Sequence, residues 1–358
     1  MFFNKAITFH SFFFVLTLYT KLTSEGNVPS FYWNAFTENC KNRNLTIPVE
    51  KYGIITNKNQ KFQGEHIVIF YEKNVGLYPY LKYINKTHNE FINGGIPQNT
   101  NIPAHLKKLR EDISIIIPNP AFNGIAVIDV EEWRPTYDSN WSKKRIYRYE
   151  SVQRVLTRYP YLNWNQASEI AKREFDEAAY KFLLLTLKEC QIWRPLAKWG
   201  FYGFPICDEN GLRRNSTFCY SKHNDKLIPL LMQTDAIYPA AYLYPGRPVE
   251  TARLYVKDVL SETKRLNNLI VKKGYKKKEI FVYHKFELDP YNNIIKDIQF
   301  YDQATMDATY KQTIDFNINN IIFWTTSKNI MERCKYIKKY VETSLGPYIK
   351  KLIKSYIL

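Results

Sequence analysis

Two carboxylates, Asp129 and Glu131, lie two residues apart in the run Gly124-Ile-Ala-Val-Ile-Asp-Val-Glu-Glu-Trp-Arg-Pro135. Residues 125–128 are apolar and mostly β-branched, the pattern of a strand buried on both faces, and the run ends abruptly in acid. Side chains at i and i+2 of a strand point the same way, with Cα atoms roughly 6.5 to 7 Å apart, so the two acids project together from one strand end. Carboxyls held that close resist ionising together, and one of them keeps a proton near neutral pH. Such a pair can supply a general acid. Glu132 alternates to the opposite face, where Arg134 is its expected partner, and Trp133-Arg134-Pro135 closes the segment.

The same chemistry is expected wherever other strands end. Tyr71, Tyr202, Tyr242, Tyr283 and Trp324 each close a candidate strand. Aromatic rings stack on the apolar faces of sugars, and phenol hydroxyls hydrogen-bond to sugar substituents. The candidate strands are Ser30 to Asn34, His66 to Tyr71, Gly124 to Val130, Lys198 to Tyr202, Ala236 to Leu243, Glu279 to Tyr283 and Asn320 to Trp324. Helical patterns at Ile102 to Ile117, Trp164 to Glu189, Thr251 to Lys272, Asp302 to Phe316 and Ile330 to Thr343 separate most of them. Strands alternating with helices over some 300 residues imply a parallel sheet, and closing it gives an α/β fold: a distorted (β/α) TIM-like barrel of about seven strands in a single domain, residues 25–358. Chemistry in such barrels gathers at the carboxyl ends of the strands, where Asp129 and Glu131 stand.

The chain has 358 residues, 45% of them hydrophobic and 16% aromatic, enough for one large core. Lys5 precedes a mostly apolar stretch from Ile7 to about Tyr19, too short to span a bilayer comfortably, so residues 1–24 read as a signal peptide and the protein as secreted and extracellular. No later segment reads as a membrane span. An oxidising destination lets disulfides persist. Cys207 and Cys219 suit a local loop staple, Cys40 and Cys334 a clasp between the first and last elements, and Cys190 a free buried thiol. Sequons at Asn44, Asn85, Asn140 and Asn215 are compatible with glycosylation in that compartment. No metal site is expected, since Cys-x-x-Cys and paired-His spacings are absent. The formal charge of +17 could serve nucleic acid, yet no recognition helix, finger or stacking motif accompanies it; a polyanionic sugar is drawn by the same field.

These residues resemble the animal hyaluronidases, glycoside hydrolase family 56, and most closely the compact venom-type members from insects. The resemblance runs from about Phe31 to Leu352 through Tyr32-Trp-Asn34, Lys51-Tyr-Gly-Ile54, Asn93-Gly-Gly-Ile-Pro-Gln98, Val127-Ile-Asp-Val-Glu-Glu-Trp-Arg-Pro135, Trp199-Gly-Phe-Tyr-Gly-Phe-Pro205, Tyr238-Pro-Ala-Ala-Tyr242, Phe323-Trp324 and Leu345-Gly-Pro347. It implies a proton donor at Glu131 with Asp129 as partner acid, active-site tyrosines at Tyr202, Tyr242 and Tyr283, a sugar-stacking Trp324, and a substrate contact at Tyr71. It also implies the disulfides Cys40–Cys334 and Cys207–Cys219, in agreement with their positions. The implied activity is endo-hydrolysis of β-1,4 bonds in hyaluronan, with retention, by a monomer that needs no cofactor. An acid pair on one strand cannot easily flank the scissile bond, which suits attack by the substrate's own acetamido oxygen.

Three departures from the family pattern stand out, the first of them expected to alter packing behind the strand and not the chemistry. Val130 replaces an aromatic residue between the acids. Thr325 follows the tryptophan where a small residue is usual, with Thr326 and Ser327 retaining hydroxyls for sugar contact. Tyr255 holds the place of a basic residue, and Arg253 lies two earlier, which leaves Arg134 and Arg253 as candidate contacts to the acidic sugar and keeps chondroitin open as a substrate. A glycan-binding relative without turnover is the rival reading, and retention of both acids and the aromatic set argues against it.

Overall fold

The computed structural model describes residues 28–85, 88–208, 217–292 and 299–357. The expected signal segment and the Asn215 sequon lie outside the described residues.

Among the described residues, eight parallel strands form the centre: β1 (Ser30–Asn34), β2 (Ile54–Thr56), β3 (Ile67–Tyr71), β6 (Ile125–Asp129), β7 (Lys198–Phe201), β8 (Ala236–Ile237), β9 (Glu279–His284) and β10 (Asn320–Trp324). An antiparallel hairpin, β4 (Tyr80–Asn85) with β5 (His88–Ile92), stands apart from them. The parallel strands pair as one run of five, β2-β1-β10-β9-β8, and one of three, β3-β6-β7. A bridge between Tyr202 and Tyr238 joins the two runs on one side. The seven strands expected from the sequence are all present. β8 is shorter than expected because Pro239, which has no N–H to donate, interrupts it, and pairing resumes only as a bridge from Ala240 to Tyr283.

On the other side β2 and β3 do not pair as strands, and a side chain spans the gap. The buried Asn57 amide acts as a substitute peptide: its Oδ1 accepts from the backbone N–H of His66 (2.9 Å) and Ile67 (3.0 Å), and its Nδ2 donates to the carbonyl of Ile67 (3.0 Å) and that of Lys61 (2.9 Å). The barrel is therefore TIM-like, with one seam held by a side chain instead of a ladder.

Period-two alternation sorts the strand residues. Ile67, Ile69, Ile125, Val127, Ala236, Tyr238, Phe281, Tyr283 and Ile322 pack together inside the barrel. Their neighbours Val68, Phe70, Ala126 and Ile128 pack outward against one layer of helices, and Phe31, Trp33, Val282, Ile321 and Phe323 against another. Gly200 is required where β7 meets β8, since a Cβ there would lie 2.3 Å from the Ala236 carbonyl oxygen. The longest helix, Trp164–Trp193, begins with a capping box in which Asn163 accepts from Gln166 N–H and the Gln166 side chain accepts from Asn163 N–H, both at 3.0 Å. The helix Arg145–Arg158 joins those expected from the sequence. The disulfides Cys40–Cys334 and Cys207–Cys219 are both formed, and Cys190 is a buried free thiol. No helix among the described residues is long and apolar enough to cross a membrane.

Asn140 overturns one expectation from the sequence. Its side chain is fully buried, accepts from Arg134 N–H at 2.8 Å and donates to the carbonyls of Arg134 and Thr136, so its amide nitrogen has no room for a glycan.

The Asn57 seam gives a stability test. Asn57→Ala strands several buried backbone groups, each worth about 1–3 kcal/mol, and should lower the unfolding free energy by about 3 kcal/mol or more in denaturant titration. A loss below about 1 kcal/mol would show that the seam does not depend on this amide.

Candidate active site

The inward set of each strand ends in a functional group at the carboxyl end of the barrel. On β6 the series Ile125, Val127 ends in Asp129; on β3 the series Ile67, Ile69 ends in Tyr71; on β10 Ile322 is followed by Trp324. Tyr71 and Asp129 are register partners on adjacent strands. The alternation that builds the core thus delivers the acid and the rings to one mouth.

Asp129 is buried, only 6% exposed, and hydrogen-bonded to the Glu131 side chain. Burial raises its pKa well above the ordinary aspartate range, and the charges of Glu131 and Glu72 add to the effect. Its Oδ1 is buried with no hydrogen-bond partner among the described residues. Glu131 itself is exposed and lines the cleft with Arg134, Lys144, Tyr202 and Tyr255. The sequence expectation that both acids meet at one strand end therefore holds.

Behind the pair, Glu72 Oε1 accepts from the Glu131 N–H at 2.8 Å, and Lys144 Nζ donates to the carbonyls of Glu131 and Glu132, the latter at 3.1 Å. Glu132 shares a hydrogen bond with the Tyr147 hydroxyl, which corrects the partner expected for it. Arg134 lies with its guanidinium 4.5 Å from the centre of the Trp141 ring and donates to the Ser139 carbonyl at 3.0 Å.

Beside the acids at the same end of the barrel stands an aromatic cluster. Trp324 stacks on Tyr242 with centroids 5.7 Å apart and planes 16° from parallel, and its Nε1 donates to the Tyr71 hydroxyl at 3.2 Å. Tyr202 and Tyr242 are linked by a hydroxyl hydrogen bond, and Tyr202 meets Tyr283 edge-on at 5.3 Å. Burial holds all four phenols well above their ordinary pKa, so they are neutral donors at any physiological pH. The Tyr283 hydroxyl is buried without a hydrogen-bond partner among the described residues, one layer below the mouth.

Beyond Trp324 the chain turns on a buried ion pair. Arg333 Nη1 donates to Glu287 at 2.7 and 2.9 Å and to Thr325 Oγ1 at 3.0 Å, and Thr325 donates to Glu287 at 3.1 Å. Burial raises the Glu287 pKa, and Arg333 opposes it. The Thr325 hydroxyl is thus committed to this network. Thr326 is also buried and accepts from Lys328 N–H at 3.3 Å, whereas Ser327 is exposed. Arg253 departs from its expected place: its Nε faces Glu250 at 3.5 Å on the same helix, and Tyr255 occupies the cleft wall instead.

A family model described as hyaluronidase, glycoside hydrolase family 56, matches residues 23–356. The chain belongs to the hyaluronidase family. A chondroitin hydrolase of Caenorhabditis elegans is 36% identical over 91% of this chain and 70% of its own length. The human hyaluronidase PH-20 is 31% identical over 90% of this chain, which spans 63% of that protein. Bee venom hyaluronidase, solved with a hyaluronic acid tetramer, superposes with a TM-score of 0.82 at 28% identity and covers 90% of this chain and 99% of that one. The hyaluronidase expected from the sequence is therefore a glycoside hydrolase with the TIM-like barrel of its relatives.

Glu72 and Lys144 were not legible as site residues. Glu72 follows a strand end in a charged turn, and Lys144 is one of several lysines and arginines in a row.

Asp129 carries a pH-dependent cost to stability. Its native pKa is raised, so between the ordinary carboxyl value of about 3.9 and that raised value the native state holds a proton the unfolded state has lost. Stability from this group therefore falls as pH rises through the window. Asp129→Asn cannot ionise and should raise the melting temperature at neutral pH, with the gain disappearing near pH of about 4, while cleavage is lost. An equal or lower melting temperature at neutral pH would contradict the buried-acid assignment.

Proposed function

We propose that this hyaluronidase is a secreted, endo-acting β-N-acetylhexosaminidase that cuts β-1,4 bonds after N-acetylhexosamine in hyaluronan or chondroitin, with retention and by attack of the substrate's own acetamido group. One observation carries the reading. Both carboxyls of the hydrogen-bonded pair come from the end of the single strand β6, while the ends of other strands supply phenols and an indole. A retaining enzyme that uses its own nucleophile sets two carboxyls about 5 to 5.5 Å apart across the sugar from one another, whereas a hydrogen-bonded pair on one side leaves the nucleophile to the substrate.

In the resting site the pair holds one proton, which burial draws toward Asp129. Substrate that covers the exposed Glu131 removes its water and brings the proton across the hydrogen bond to it. Glu131 then gives the proton to the glycosidic oxygen as the bond from that oxygen to the anomeric carbon breaks. The acetamido oxygen forms the new bond to the anomeric carbon, giving a cyclic oxazolinium. Asp129, now a carboxylate, accepts from the acetamido N–H, and the Tyr242 hydroxyl orients the carbonyl. Water next attacks the anomeric carbon from the vacated side, Glu131 takes its proton, and the ring opens to restore the acetamido group.

Trp324, stacked on Tyr242, forms the floor under the acetamido methyl, and Tyr71, Tyr202 and Tyr283 complete the cluster. Arg134 and Lys144 at the cleft draw the polyanion. Two disulfides favour an oxidising destination, in keeping with export. Arg253 pairs with Glu250 on its own helix, outside the residues that line the cleft, so charge recognition rests on other cations.

Glu131→Gln should lower turnover by at least about a thousandfold with the fold intact by circular dichroism. Parallel digestion of purified hyaluronan and chondroitin, with products resolved by mass spectrometry, reads the preference. Turnover unchanged in Glu131→Gln, or product of inverted anomeric configuration, would refute the mechanism.

A further inference from the structure

The ladder of β6 stops short of the proton donor. Register with β3 ends at Tyr71 and Asp129, and the last bond to the β7 side is from Tyr202 N–H to the Ile128 carbonyl at 3.0 Å. Glu131 therefore lies beyond strand pairing, and its backbone is held by two side chains of opposite charge. Glu72 Oε1 takes its N–H at 2.8 Å, and Lys144 Nζ reaches its C=O and that of Glu132. Glu72 is anchored as the residue after Tyr71 on β3. Lys144 ends the short 3-10 turn Ser142–Lys144, which is packed beside Trp141 and its Arg134.

We propose that Glu72 and Lys144 are a pair of positioning residues that clamp the backbone of Glu131 from both sides and, by their opposite charges, set the pH range in which the Asp129–Glu131 pair keeps its proton. This rests on the functional reading above only where turnover is the readout. The clamp fixes the reach of Glu131 where no ladder does so. A carboxylate beside the pair stabilises its protonated form, and an ammonium stabilises its ionised form. Both charges act at short range from half-buried positions, where solvent screens them less than on an open surface.

The other charged and titratable groups that face the pair are accounted for by element. Tyr71 comes from β3; Glu132 and Arg134 follow β6; Tyr147 comes from the helix Arg145–Arg158; Tyr202, Tyr242 and Tyr283 come from the β7, β8 and β9 sides. The five phenols are neutral, Glu132 is bonded to Tyr147, and Arg134 lies over Trp141. That leaves Glu72 and Lys144 as the charges whose removal acts on the pair through its own backbone contacts. Burial, then Arg134, lowers the Lys144 pKa, and Glu131, Glu132 and Glu72 pull it back.

The test combines carboxyl NMR titration of isotope-labelled full-length protein with pH profiles of kcat and KM. Glu72→Gln keeps an acceptor for the Glu131 N–H and removes the charge, so the titration midpoint of the pair and the alkaline limb of kcat should both fall by about half a pH unit or more. Lys144→Met should move both upward by a similar amount and lower kcat about tenfold, because the clamp is also lost, with KM raised by the loss of a cleft cation. Lys144→Arg should return the midpoint to its original place. Midpoints that stay fixed, or that move in the same direction in Glu72→Gln and Lys144→Met, would overturn the proposal and leave both residues a structural role alone. If the unaltered protein cleaves neither polymer, the functional reading fails, and the NMR midpoints still decide the clamp.

Discussion

A carboxyl buried at the end of β6, bonded to a second carboxyl two residues on, is the constraint around which the rest of the molecule is arranged. Asp129 is inward because Ile125 and Val127 are inward, and the same alternation that fills the barrel leaves a buried acid at its mouth. Burial alone would drive such a group neutral, and a neighbouring negative charge reinforces the effect. Holding the proton in this way costs stability at neutral pH, a cost found at sites kept for chemistry. The stabilisation that offsets it comes from elsewhere: the apolar layers on both faces of the strands and a disulfide that ties Cys40 near the first strand to Cys334 in the last helical region.

The aromatic cluster depends on networks of its own. Trp324 is fixed in three ways: its place on β10, its stack on Tyr242 and its bond to Tyr71. The turn beyond it is fixed by Arg333 and Glu287, a fully buried ion pair with Thr325 as a third member. Removing one partner of such a pair leaves an uncompensated charge, so the pair specifies the turn more than it stabilises the fold. The seam at Asn57 has the same character. A single side chain supplies the donors and acceptors that a strand pair would otherwise supply, and it lets the barrel be irregular without exposing backbone to the core.

Much of this was legible in the sequence because period-two patterns and strand-end residues report the same physics that builds the core. The acid pair, the five aromatic residues at strand ends and seven strands follow from it, while both disulfides were read from the places of their cysteines in the chain and from the family resemblance. What was illegible depends on contacts distant in sequence. The strand Ile54–Thr56 is three residues long, too short for alternation to show, and the hairpin strand Tyr80–Asn85 is mostly exposed. The helix Arg145–Arg158 begins among cations without a side-chain cap, so its start carries no signal. Asn140 matches a sequon yet serves as an internal brace for residues 134–136, a role only the folded turn reveals. Arg253 sat near the right place in the chain but on the wrong face of its helix, two residues from Tyr255, which is about 200° around the axis. Glu72 and Lys144 read as ordinary charged surface until the backbone of Glu131 is seen between them.

The claim that the Asp129–Glu131 pair retains a proton at neutral pH is tested most directly by infrared difference spectroscopy between the unaltered protein and Asp129→Asn. A carboxylic acid carbonyl band is expected at neutral pH in the unaltered protein, shifting on deuteration and absent from the variant. A spectrum with only carboxylate bands at neutral pH would contradict it, since both acids would then be ionised and no proton would be held for the leaving group.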